Sequence, residues 1–213
     1  MEQIILIIEK RVLAFIVWIS LLIVNKQLGQ LEKPRHWIFN NEYIHIYNFK
    51  NYRWMAIFSQ IESQINRIQI QETEIYAGLK FPNEYKEHLL KFNGGQCVPK
   101  IFKFNENGKW TDSYIDWFLA IYNGKYDNLR EYIKDYKLDK KRLPTHMLPI
   151  AHDPGGNLIC ISTDTEDKGC IYFWDHENEV DYNITNDRDY SNLYMVARSF
   201  NEFIDGLKDD FEP

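Results

Sequence analysis

Apolar positions along this chain change period several times, and each change marks an element. Ile57, Ile61, Ile65 and Ile68 recur at spacings of four and three, predicting one apolar stripe on a helix that begins near Met55. Residues 79–81 read as a short extended lead-in. Pro82 then sits in the first turn of a second helix, where its missing N–H costs nothing, and Tyr85, Leu89 and Phe92 share one face. Glu84 and Glu87 lie toward the positive helix start and Lys91 near its end. Asn93-Gly94-Gly95 stops the helix, because glycine accepts the left-handed conformation of a C-terminal cap.

Downstream, residues 97–104 read as a strand leading to the turn Asn105-Glu106-Asn107-Gly108. Asp112 then suits the cap of a helix buried through Ile115, Phe118, Leu119 and Tyr122. Leu129, Tyr132, Ile133 and Tyr136 mark a further helix. Residues 147–151 form a strand, and Pro149 places it at a sheet edge or a strand start. Asp153-Pro154-Gly155-Gly156 turns the chain into a strand over 157–162, and residues 164–169 turn it again into 171–174. The last strand covers 193–197. Ser199-Phe200-Asn201-Glu202 reads as a capping box opening a helix that buries Phe200, Phe203, Ile204 and Leu207. Helices, then hairpin-linked strands, then a closing helix predict an α+β fold.

The first 54 residues follow a different pattern. Residues 12–24 are apolar apart from Ser20 and are preceded by Lys10 and Arg11. As a helix this run would span about 20 Å, short of the roughly 30 Å hydrocarbon core of a bilayer. Three readings stay open: a marginal membrane anchor, a hydrophobic helix packed in the domain, or an extension from an upstream start codon. Pro34 breaks any long helix, and residues 43–49 alternate as a strand would. The expected organisation is a hydrophobic N-terminal extension over 1–54 and one domain over 55–213.

Net charge changes the picture of the partner. The chain carries −6 overall, but residues 151–213 hold fifteen acidic side chains against four basic ones, a net of −11. Phosphate would be repelled by that half, which argues against direct nucleic-acid binding. An acidic face suits a basic partner, although solubility alone also favours one. Cys97, Cys160 and Cys170 form no CxxC pair, as expected of reduced thiols. Cys160 lies in an alternating apolar run and reads as a small core residue.

Candidate chemistry is sparse. His152, Asp153, Asp175, His176 and Glu177 could converge at two strand ends, yet their spacing matches no metal-ligand motif. No GxSxG is present, and the DPGGN turn joins two strands without opening a helix, so it is not a phosphate cradle. No catalytic residue, metal or cofactor is expected, and an enzyme is set aside.

Two linked blocks, residues 79–95 and 147–162, followed by residues 171–179, resemble the SUKH superfamily. The first block matches through Tyr85, Leu89, Leu90, Asn93, Gly94 and Gly95, with Lys80 and Phe81 separating Leu79 from Pro82 where the family pairs leucine with proline. Leu148, Pro149, Ile150, Asp153, Gly156, Asn157 and Cys160 match the second, and Trp174-Asp175-His176-Glu177 the third. The similarity covers roughly residues 57–207. It implies a single SUKH-like domain with a mixed, mostly antiparallel sheet packed by helices. Pro82, Tyr85, Leu89, Asn93, Gly94, Gly95, Pro149, Gly156 and Cys160 would be its structural positions.

The resemblance also implies a function. Bacterial members are mostly immunity proteins that bind and neutralise a cognate toxin domain, whereas fungal relatives regulate cell-wall synthesis. The expected role is non-catalytic immunity in the cytoplasm against a basic, nuclease-like toxin. Its alternative is a regulatory scaffold of the envelope, tethered through residues 12–24. Trp174, Asp175, His176, Glu177, Asp153 and Asn157 are the expected partner-binding residues, joining an aromatic anchor to exposed carboxylates.

Overall fold

The computed structural model describes residues 37–39, 42–44 and 56–209, all within one compact unit, His36–Pro213. The apolar run over 12–24 lies outside the described residues. Among the described residues three antiparallel sheets and four α-helices make an α+β fold. The first sheet orders β1 (Trp37–Phe39), β2 (Glu42–Ile44), β3 (Ile57–Ser59) and β4 (Gln96–Val98), with Tyr43 opposite Phe58. The second orders β11 (Leu193–Ala197), β10 (Ile171–Trp174), β9 (Leu158–Ser162), β8 (Met147–His152) and β7 (Trp117–Phe118). The third is the hairpin of β5 (Ile101–Glu106) and β6 (Lys109–Tyr114).

The five-stranded sheet is covered on both faces, so β8, β9 and β10 read as near-continuous apolar runs. Period-two alternation sorts their side chains. Leu148, Ile150, Ile159, Ile161, Ile171 and Phe173 enter the main core. Met147, Leu158, Cys160, Tyr172 and Trp174 enter a second cluster beneath Leu143, Tyr136 and Tyr190. Burying each of the larger side chains contributes about 1.5–3 kcal/mol. Cys160 is therefore packing, and burial raises its thiol far above the ordinary range.

Several expectations need correction. Among the described residues no helix begins between 56 and 65: Ile57–Ser59 is β3, and the first described helix, α1 (Arg67–Ala77), starts at Asn66. Asn66 accepts the N–H groups of Ile68 and Gln69, while the Gln69 side chain accepts the N–H of Asn66. That capping box sets the start, and Ile70, Thr73, Glu74 and Ala77 form the buried stripe while Ile68 is exposed. The helix expected from Asp112 is also absent. Its sequence pairs as β6 and β7, although Ile115, Phe118 and Leu119 are buried as foreseen. The strand expected over 97–104 is divided between β4 and β5 at Pro99. β8 is an inner strand of the five-stranded sheet, but β7 pairs only with its end, Ala151 and His152. Pro149 near the strand start therefore has no β7 partner, and a register irregularity follows between Pro149 and Ala151.

The second helix, α2 (Asn83–Lys91), buries Tyr85 and Leu89 as the pattern predicts. It ends at Phe92 in an extended conformation, without a left-handed cap. The glycines serve a close approach instead. A Cβ on Gly95 would lie 2.4 Å from the carbonyl oxygen of Ser59, and one on Gly94 would lie 2.6 Å from the Ala120 Cβ. Asn93 pins the same junction, accepting the N–H of Ile121 at 2.8 Å and donating to Ser63 and Ile121 carbonyls. Farther on, α3 (Leu129–Tyr132) continues as a π-helical segment, Ile133–Asp139. The closing helix α4 (Phe200–Gly206) is capped by Ser199, whose hydroxyl accepts the N–H of Glu202. Glu202 reaches back to the N–H of Arg198, one residue beyond the expected box.

Candidate functional site

Three elements meet where β8 turns into β9 and β10 ends. Asp153 closes the turn. Its carboxylate accepts the Asn157 backbone N–H and side-chain amide, each at 2.8 Å, and the Ser113 hydroxyl at 3.1 Å. Asn157 then presents its amide oxygen to His176, accepting the backbone N–H at 3.1 Å and lying 2.7 Å from Nδ1. An amide oxygen can only accept, so His176 carries its proton on Nδ1. Asp153, Asn157 and His176 thus form one polar relay that fixes the two strand ends together.

Asp175 caps the next turn, accepting the Glu177 N–H at 2.9 Å and the Asn178 side-chain amide at 2.6 Å. Its commitment to those donors leaves Glu177 as the exposed carboxylate of the group. Trp174 requires correction: at 0% exposure it is part of the second core cluster and offers no contact surface. Of the six residues expected at an interface, the structure brings all to one end of the sheet, but only Glu177 projects freely.

Glu177 lines an open concavity of about 430 Å³ with Glu106, Asn107, Asn178, Glu179, Ser191 and Tyr194. Glu106 and Asn107 arrive from the end of β5 and its turn, Ser191 from the approach to β11 and Tyr194 from β11 itself. Sequence reading treats 105–108 only as a turn, and nothing in residue spacing signals that its tip meets residues 177–179. Glu179 is engaged by Arg142 through both carboxylate oxygens. Neither Glu106 nor Glu177 has an ion-pair partner among the described residues.

Residues 175–192 connect β10 to β11 with six carboxylates and one basic side chain, Arg188. Local donors hold three of these carboxyls, Asp181, Asp187 and Asp189, below their ordinary value. The backbone and side-chain amides of Asn183 hold the Asp181 carboxyl below its ordinary value, and Ser191 does the same for Asp189. Burial works to raise Asp187, but the Thr145 hydroxyl and N–H, together with His146, outweigh it and hold the carboxyl low. At the loop's tip Ile184 is 86% exposed amid this charge.

Among the described residues no group of three or more His, Cys, Asp or Glu side chains could hold a metal ion, and no helix is long and apolar enough to cross a membrane. His152 contacts Asp127 at 2.8 Å and the Asp153 carbonyl at 3.0 Å, and its ring stacks on that of Tyr132.

Comparison with known proteins agrees with this architecture. The family model described as SMI1 / KNR4 family (SUKH-1) matches residues 64–206. The SPbeta prophage-derived uncharacterized protein YokK of Bacillus subtilis (strain 168) is 30% identical over 157 residues, covering 67% of this chain and 74% of that protein.

Proposed function

The chain belongs to the SMI1 / KNR4 family (SUKH-1), and we propose that it is a non-catalytic immunity protein that neutralises a cognate toxin domain by direct contact. One observation carries the reading: the acidic concavity, with Glu106 and Glu177 unpaired among the described residues and beside a loop of six carboxylates, forms a negative surface. Such a surface steers a basic partner into place and repels nucleic acid. A toxin acting on nucleic acid is commonly basic, so the partner is a cationic, nuclease-like domain. Trp174 supports the surface from beneath, Asp153 and Asn157 hold its strand ends, and Glu177 touches the partner. The prophage origin of the Bacillus relative suits a role in toxin conflict.

Growth rescue tests the proposal. The full chain is co-expressed with the toxin domain encoded beside its gene, and the complex is captured by affinity pull-down. Rescue with a stoichiometric complex supports immunity. A folded chain giving neither rescue nor complex sinks this pairing and favours an envelope scaffold.

A further inference from the structure

Like charges crowd residues 175–192, and mutual repulsion should splay a loop without regular secondary structure. Its far half is tied down by Asp187 on Thr145 and by Arg188, whose guanidinium lies 2.7 Å from Asp164. The near half, which lines the concavity, is tied by Arg142. Its Nε and Nη2 donate separately to the two oxygens of Glu179. Its guanidinium carbon lies 5.0 Å from the centre of the Tyr136 ring and 5.4 Å from that of Trp174. Those rings stand edge to face at 82°, so Arg142 occupies the corner between them. The π-helical segment places Tyr136 there, and the Arg142 N–H donates to the Tyr136 carbonyl at 2.8 Å.

We propose that Arg142 is the positioning residue of the partner surface: seated on Tyr136 and Trp174, it grips Glu179 and holds residues 177–179 as a cationic partner meets them. The inference rests on the reading of the concavity as a contact surface. It also gives Trp174 a role that burial alone does not, as the floor under the guanidinium. Geometry, not charge alone, is required: lysine would keep the charge but lose the fork and the planar stacking.

The test uses the full chain with Arg142→Gln and Arg142→Lys. Hydrogen exchange of the free protein should accelerate roughly tenfold at the amides of residues 177–179 in both variants, with amides of β8–β10 unchanged. Against the neighbouring toxin domain, the dissociation rate should rise about tenfold while association stays equal or quickens, since Gln removes a positive charge. A merely misfolded fraction would lower binding amplitude and leave the dissociation rate alone. Unchanged exchange in Arg142→Gln overturns the positioning role, and full rescue by lysine overturns its geometric basis. Accelerated exchange with an unmoved dissociation rate overturns its bearing on binding. If the wild-type chain binds no toxin, the functional reading fails, and the exchange data still decide what Arg142 does.

Discussion

Asp153 and Asn157 lock the β8–β9 turn from both sides: the aspartate accepts the asparagine's backbone N–H and its side-chain amide, each at 2.8 Å. Asp153 is only 6% exposed, and removing it leaves the partly buried donors of Asn157 and Ser113 without their acceptor. Asp153→Ala should therefore cost ~3 kcal/mol, read from the urea midpoint. Asn157→Ala should free His176 as well, moving the His176 ring signals toward those of a solvated histidine. An Asp153→Ala protein as stable as wild type would show that the turn holds without this bond.

Two glycines with nearly the same backbone angle should respond differently to alanine. Gly95 and Gly156 have φ of 92° and 93°, so each substitution is strained. At Gly156 the added methyl meets open space, and the cost should be about 1–2 kcal/mol. At Gly95 it would lie 2.4 Å from the Ser59 carbonyl oxygen on the neighbouring strand, a backbone atom that cannot step aside. Gly95→Ala should cost more than ~3 kcal/mol or prevent folding. Equal melting shifts for the two variants would refute the close-approach account.

Which of these features were legible in the sequence depends on whether their cause is local. The strands from Met147 to Ala197 could be read because their apolar residues fill two cores above and below one sheet. The isoleucines from 57 to 68 misled because a spacing of four also keeps alternate positions of an extended chain on one side, and pairing of β3 with β4 decides between them. A local signal did exist in Asn66 and Gln69, whose capping box marks where the helix starts. Likewise the β-forming run Lys109–Tyr114 outweighs the cap read at Asp112 once the hairpin closes. The concavity could not be read at all. Glu106 and Glu177 are far apart in sequence, as are Glu179 and its partner Arg142, and each pair is brought together only by tertiary packing.

His88 sits on α2 inside a cage of rings, 4.8 Å from Phe58 and 4.7 Å from Phe200. Burial, aided by the Lys91 charge, pushes its pKa from the ordinary 6.5 down to about 3. Between those values the unfolded chain binds a proton that the native chain refuses. Stability should accordingly fall as pH drops from about 6.5 toward 3, by a few kcal/mol in total, and be flat in this group's contribution above that window. Denaturation curves at several pH values would measure the slope. His88→Leu should flatten it, and an unaltered slope would mean that other groups govern acid unfolding.

Charge reversal tests the concavity itself, and the structure selects the residues. Lysine at Asp175 would break the turn that this carboxylate caps, confusing folding with binding. Glu106 and Glu177 line the concavity without ion-pair partners among the described residues, so changing their side chains leaves the hydrogen bonds of the Asp175 turn alone. Glu106→Lys with Glu177→Lys should slow association with a basic toxin domain by about 10–100-fold at low salt. The difference should shrink near physiological ionic strength, where the Debye length is only about 8 Å. The melting temperature should stay close to that of the wild type, because exposed charges contribute little to stability. Stopped-flow or surface-captured kinetics at two salt concentrations would read both effects. An unchanged on-rate at low salt would remove the concavity from the interface and leave the loop around Ile184 as the surface to examine.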